Sequence, residues 1–380
     1  MAEMIADQRP KVLIASSERD VRDRLTETLR FRFQAVTVGD GWMALHLVNA
    51  ESFAALVVTE RLESLSGLDV AYTVREGGRN RAVPILLLAG RIDERIRAMV
   101  AGGVVDRCID AGAETGVFLF EFNAMCAARA ERAWDTLAPD VRRVLKTARH
   151  SYNAIFESES VREGIDPAWL SVTADAVVDA VKTGRITAVL TALQNHDDYT
   201  FVHSLSVAAV LAFFGRQIGI RDSDLGLMAQ AGFAHDLGKR AIPHAVLYKP
   251  GFLEAAQMDL IRRHAMAGGE ILMRSHGIPA EVMHVAMRHH EHMDGSGYPR
   301  GLKGAEIDDL SLVAAIADVF SAISDNRCYK PRNSATESLR SVRRMAGSHL
   351  ESHHVAKFFE VMTDTGFAAA LDAPLAQAAE

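Results

Sequence analysis

The feature that most limits the fold is a change of hydrophobic period partway along the chain. Up to about residue 125, short apolar runs alternate with stretches of helical spacing; from Asp166 onward strand signals fade. Val12-Leu13-Ile14-Ala15, Ala35-Val36-Thr37-Val38, Leu56-Val57-Val58 and Pro84-Ile85-Leu86-Leu87-Leu88 each suit one buried parallel strand. Between them, Arg19 to Phe33 places Val21, Leu25, Thr28, Leu29 and Phe33 at helical spacing, and Gly41 to Ala50 and Leu68 to Arg75 read as further helices. Strands alternating with helices predict a doubly wound α/β domain over residues 1–125. Phe118 to Ser158 is rich in Ala, Arg and Glu, broken at Pro139, and reads as a helical connector over 126–164. Such helices pair across a dimer or pack on their own domain, and both stay open here. Asp166-Pro167 then opens a helix, Asp as cap and Pro in the first turn. Repeated apolar periodicity predicts an all-α bundle over 165–371, with a tail over 372–380.

The chain has 380 residues, 49% of them hydrophobic, and a net charge of -7 with His neutral. Two domains are the default at that length. The mild acidity weighs against binding a nucleic acid polymer. Cys108, Cys126 and Cys328 are scattered and odd in number, so they suggest neither a disulfide framework nor a thiolate zinc site. No run reaches the roughly 20 apolar residues of a membrane span. A cytoplasmic protein without a membrane span is expected.

Histidine is the informative residue, with 15 in the chain and most in its second half. His235-Asp236, followed by Lys239, lies in apolar surroundings, where a buried carboxylate is costly unless a cation neutralises it. The duller reading is an Asp236–Lys239 ion pair with His235 as packing, and it stands level for this piece alone. His203, His264, the pair His289-His290 and Asp318 are likewise set among apolar residues. Taken singly, His203 reads better as a core histidine. Five histidines and two aspartates, each embedded in an apolar helix of one domain, suggest a metal centre between facing helices. Imidazole and carboxylate without thiolate favour iron or manganese over structural zinc. His150, His196, His244, His276, His284, His349, His353 and His354 read as surface or helix-end residues, with His292 a minor candidate.

Two resemblances follow. The order of elements over residues 11–125 resembles a two-component receiver domain. The positions that carry receiver chemistry fall on Ser16 and Ser17, Thr59, Ala89 and the neighbourhood of Ile109. None keeps that chemistry, so a pseudo-receiver is expected, used for dimerisation or partner binding and not for phosphotransfer. Residues 165–371 resemble an HD-GYP domain of the HD phosphohydrolase superfamily. The motifs in family order are His203-Ser204, His235-Asp236-Leu237-Gly238-Lys239, Leu247-Tyr248-Lys249-Pro250-Gly251, and His264 with Gly268. His289-His290-Glu291, Asp294-Gly295-Ser296-Gly297-Tyr298-Pro299, Gly301-Leu302-Lys303-Gly304, Asp318, and Arg327 with Tyr329-Lys330 complete the series.

The HD-GYP resemblance implies metal-dependent hydrolysis of cyclic di-GMP to pGpG, with a second cut giving GMP. It implies two divalent ions. One would be held by His203, His235, Asp236 and Asp318, the other by Asp236, His264, His289 and His290. Lys239 would meet the scissile phosphate, Arg327 and Lys330 would hold the ligand, and Tyr298 and Pro299 would shape a loop beside it. Tyr199 stands where some relatives place a Glu for a third ion, and Ser321 where an Asp is common. Two other readings stand beside this one: a cyclic di-GMP-binding adaptor with little catalysis, and a hydrolase of another cyclic dinucleotide. Expected partners are cyclic di-GMP, a second copy through the receiver-like domain or the connector, and signalling proteins.

Overall fold

The computed structural model describes residues 9–77, 80–156, 164–194, 196–325 and 333–373. Their contacts divide the chain into two compact units. The first runs through Arg132 and includes the later segment His244–Phe252. The second takes up Ala133–Pro243 and the described residues that follow Phe252.

In the first unit, β1 (Lys11–Ala15), β2 (Gln34–Val38), β3 (Ala55–Thr59), β4 (Ile85–Ala89) and β5 (Arg107–Asp110) form one sheet in the order β2-β1-β3-β4-β5. Every pair is parallel. Helices α1 (Arg19–Leu29), α2 (Gly41–Ala50), α3 (Gly67–Gly77), α4 (Glu94–Ala101) and α5 (Thr115–Ala133) alternate with the strands. β3 and β4 are buried on both faces, which is why they read as unbroken apolar runs. Pro84 stands just before β4, where its missing N–H costs no ladder bond. This is the receiver-like α/β architecture. Ligand chemistry in such sheets belongs at the carboxyl ends of the strands. There, Thr59 Oγ1 donates to the carbonyls of Ala15 and Arg61 at 3.4 and 3.0 Å. Glu60 accepts from the Gly90 amide at 3.0 Å, and Ser17 Oγ donates to the Arg61 carbonyl at 3.1 Å. These groups serve the local backbone.

The second unit is helical. Its elements are α6 (Pro139–Phe156), α7 (Pro167–Lys182), α8 (Ile186–Leu193), α9 (Tyr199–Gln217) and α10 (Asp222–Ala234), and, past α11 (His244–Leu247) of the first unit, α12 (Ala255–Arg262). α13 (His264–Arg274), α14 (Ala280–Arg288), α15 (Asp309–Ser324), α16 (Ala335–Arg344), α17 (Ser352–Asp364) and α18 (Phe367–Asp372) complete it. Asp166 caps α7 by accepting from the Ala168 amide at 2.9 Å, with Pro167 in the first turn. The division between units falls within the stretch read as a connector. Val141, Val144, Leu145, Ala148 and Ile155 of α6 are buried in this unit's own core. α9 is long and apolar enough to cross a membrane by composition, yet 89% of its apolar window is buried inside the bundle. That burial explains the composition: α9 is the central core helix.

Phe358 of α17 is fully buried, with its ring 5.4 Å from Phe214 of α9 and 5.6 Å from Phe320 of α15. Phe358→Ala leaves a cavity against the two helices that carry His203 and Asp318. It should lower stability by about 3–5 kcal/mol, read as a lower urea midpoint in the loss of helical signal.

Candidate metal centre

The bundle brings together all seven residues singled out as metal ligands. His203, His235 and Asp236 form one group, His264, His289 and His290 a second, and His235, His289 and Asp318 a third; ligand atoms within each group lie within 4.8 Å of one another. Asp236 is the hub. Its Oδ2 is 3.3 Å from His235 Nε2 and 3.7 Å from His203 Nε2, and its Oδ1 is 3.3 Å from His264 Nε2 and 3.9 Å from His289 Nε2. Asp318 Oδ1 is 2.9 Å from His203 Nε2 and 4.0 Å from His235 Nε2, while its Oδ2 is 4.0 Å from His290 Nδ1.

Local structure corrects part of the sequence reading. His203 and Asp318 do lie inside helices, α9 and α15. His235 and His289, however, are the residues just past α10 and α14, and Asp236 and His290 follow them. His264 begins α13, directly after the end of α12. The reason is hydrogen bonding. A helix end leaves carbonyls without an amide partner. His235 Nδ1 donates to the Gly232 carbonyl at 2.7 Å, His264 Nδ1 to Ile261 at 2.7 Å, and His289 Nδ1 to Val285 at 3.0 Å and Ala286 at 3.1 Å. Each bond fixes the tautomer, so each Nε2 presents a bare lone pair to the centre.

Bare lone pairs in a buried site are costly unless a cation takes them. His264 Nε2 and His289 Nε2 face each other at 3.3 Å. Two ligands side by side on one ion at about 2.1 Å would be about 3 Å apart. His235 Nε2 and Asp236 Oδ1 are buried with no hydrogen-bond partner. The donor set and these orphaned atoms fit divalent metal.

The charge states of three of the rings agree, and in the metal-free protein the fourth, His203, instead holds a proton between carboxylates. Burial lowers the pKa of His264 and carries His289 well below the ordinary imidazole range; it takes His290 down to about 3. Burial also opposes charge on His203, but hydrogen bonds to Asp318 and Asp325 outweigh it and raise that imidazole to about 9. For Asp236 the burial penalty is overcome by Lys239, His235 and His264 beside it, which hold the carboxyl well below its usual range. His203 does the same for Asp318.

Two glycines set the approach of the walls. A Cβ on Gly238 would come within 1.9 Å of the His264 carbonyl oxygen, so only glycine lets the segment after Asp236 reach α13. A Cβ on Gly297 would lie 2.4 Å from the His292 amide and 2.5 Å from the His290 carbonyl. That close turn brings Tyr298 beside His290, ring centroids 4.7 Å apart, with Pro299 following. Glu291, whose role the sequence reading left out, is buried and accepts from the Arg300 and Leu302 amides at 2.7 and 2.9 Å, clamping this loop. The signal was there: a lone acid between two histidines and a glycine-rich turn.

Lys239 Nζ pairs with Asp236 Oδ2, so the ion pair and the ligand cluster coexist. Arg327 and Lys330 lie outside the described residues. His292 belongs to none of the ligand groups; its Nδ1 is 3.0 Å from Ser296 Oγ. His196 is not a surface residue: it is buried and stacks on Trp134 at 5.3 Å. Asp325, which the sequence reading passed over, lies 3.1 Å from His203 Nδ1.

The model for the HD domain matches residues 187–353. The chain is 34% identical over 194 residues to a cyclic di-GMP phosphodiesterase of Pseudomonas aeruginosa, covering 51% of this chain and 47% of that protein. It is 27% identical over 333 residues to a cyclic di-GMP phosphodiesterase response regulator of Xanthomonas campestris pv. campestris, covering 86% and 80%. It is 37% identical over 145 residues to 3'3'-cGAMP-specific phosphodiesterase 1 of Vibrio cholerae, covering 38% and 33%. The chain thus spans about half the length of the first of these relatives and a third of the last.

The pKa directions predict how the chelator-treated protein responds to pH. His264, His289 and His290 have lowered folded values, so below the ordinary 6.5 the unfolded chain binds more protons and stability falls with falling pH. His203 works oppositely: its contribution is complete below 6.5 and is lost as pH rises through about 9. Urea midpoints of the metal-free helical unit should therefore peak near pH 6.5 and decline on both sides.

Proposed function

We propose, from the premise that residues 187–353 are an HD domain, that this chain is a metal-dependent cyclic di-GMP phosphodiesterase acting in the cytoplasm. The observation that carries the reading is the ring of imidazole Nε2 atoms turned on the buried carboxylates of Asp236 and Asp318. We assign His203, His235, Asp236 and Asp318 as the residues that would hold one divalent ion, and Asp236, His264, His289 and His290 as those that would hold a second. Imidazole and carboxylate donors suit iron or manganese. Bound there, the ions supply Lewis acidity at the phosphoryl oxygens and water acidified enough to attack phosphorus at neutral pH.

The remaining work falls to the chain. Hydrolysis breaks one P–O3′ bond; hydroxide adds to phosphorus and the 3′ oxygen gains a proton, giving linear pGpG, which a second cut turns to GMP. The Lys239 ammonium, paired with Asp236, would face the phosphoryl oxygen where negative charge grows. Tyr298 and Pro299 wall the substrate side, and Arg327 and Lys330 help hold the ligand. The receiver-like unit serves homodimerisation or contact with signalling proteins. The Vibrio cholerae relative, specific for 3'3'-cGAMP, favours a second reading in which the substrate is a mixed cyclic dinucleotide.

Purified protein loaded anaerobically with Mn(II) or Fe(II) should turn over cyclic di-GMP. Asp236→Ala should lower the rate by more than about 100-fold, beyond the range for groups that only support ligands. Binding without turnover in the loaded wild type would instead make the chain an adaptor, and faster cleavage of 3′3′-cGAMP would move the substrate. In the receiver-like unit, acetyl phosphate should leave no label at Thr59 or Glu60, read by intact mass; a label there would restore phosphotransfer.

A further inference from the structure

His203 stands apart from the other ligands in how its ring is held. His235, His264 and His289 each donate the Nδ1 proton to a carbonyl in the turn before them, at or beside a helix end: Gly232, Ile261 and Ala286. His203 is the fifth residue of α9, a helix of 19 residues, and the carbonyls before it are engaged in the helix ladder. Its Nδ1 needs an acceptor from elsewhere. Asp325 Oδ2 lies 3.1 Å away. The other Asp325 oxygen is 3.5 Å from Ser206 Oγ, which stands on α9 three residues beyond His203. Asp325 follows the last residue of α15, the helix that also carries Asp318. Its amide closes that helix on the Ser321 carbonyl at 2.7 Å, which leaves the side chain free of capping duty.

Beside the carboxylate is a partly open cavity of about 40 Å³ whose lining includes Val202, Ser206, Phe320, Ser321, Ser324 and Asp325. Ser321 Oγ is buried against it with no partner. A space of this size holds roughly two or three waters.

We propose that Asp325 is a positioning residue for the metal centre: it accepts the Nδ1–H hydrogen bond of His203 and so keeps Nε2 aimed at the space between Asp318 and Asp236. The inference rests on the metal-centre reading above. It differs from that reading in naming which of the two ions depends on Asp325, the one assigned to His203, His235, Asp236 and Asp318. The ion assigned to His264, His289 and His290 does not depend on it, because those three rings are not held by Asp325.

The test is an anaerobic Mn(II) titration of the chelator-stripped full chain, with free ion followed by electron paramagnetic resonance. The wild type should bind two ions. Asp325→Ala should weaken one of them by about 10- to 100-fold, matching the ion lost in His203→Ala, and leave the other unchanged. Asp325→Asn keeps an oxygen acceptor for the Nδ1 proton and should hold both ions. Ser206→Ala, a milder change, should weaken the same single ion and serves as the test if the alanine at 325 does not fold. Two ions at wild-type affinity in Asp325→Ala, equal loss of both, or an asparagine variant no better than alanine would each overturn the role of Asp325. A wild type that binds no ion would overturn the metal centre itself.

Discussion

A buried aspartate ringed by imidazole nitrogens is the constraint on which the helical unit depends. Asp236 has histidine Nε2 atoms of His203, His235, His264 and His289 at 3.3–3.9 Å, and Lys239 on one oxygen. Hydrophobic packing alone would never collect these groups, since each costs free energy to desolvate. Only an arrangement in which cations balance them makes the core affordable. α9, α10, α13, α14 and α15 are placed so that this balance is possible.

The helix ends do much of that placing. An unsatisfied last-turn carbonyl and a histidine just past it solve each other's problem, and the leftover Nε2 then points away from the helix. His235 and His289 use this device, and His264 uses the end of α12. Close backbone approach at Gly238 then lets Asp236 come within reach of His264. Glu291 holds the Tyr298-Pro299 loop against the same site through the backbone amides of Arg300 and Leu302. Packing and chemistry are therefore not separable here: loosening α13 against the segment after Asp236 would open the ligand set.

The receiver-like unit shows the opposite balance. Its sheet keeps parallel pairing and buried strands, while Thr59 and Ser17, at the strand ends, are used to tie down local backbone. The fold persists there because strand burial needs only apolar side chains. Phosphotransfer needs clustered carboxylates, and composition at those few positions can change without disturbing the sheet.

The sequence by itself determined the type of those elements marked by a clear hydrophobic period and the kinds of atom available to the site. Period and apolar runs are local properties, so β1 to β4, α2 and the Asp166 cap were readable from neighbours in the chain. So were the seven candidate ligands, because imidazole and carboxylate set among apolar residues are conspicuous without any coordinates. Tertiary structure alone decided the rest. That His235, Asp236, His289 and His290 stand at helix ends depends on where each hydrogen-bond ladder stops, and apolar spacing does not mark that point. That Asp325 reaches His203, 122 residues earlier in the chain, depends on how α9 and α15 cross. Which nitrogen of each ring faces the centre follows from partners that only the packed bundle brings within hydrogen-bond distance.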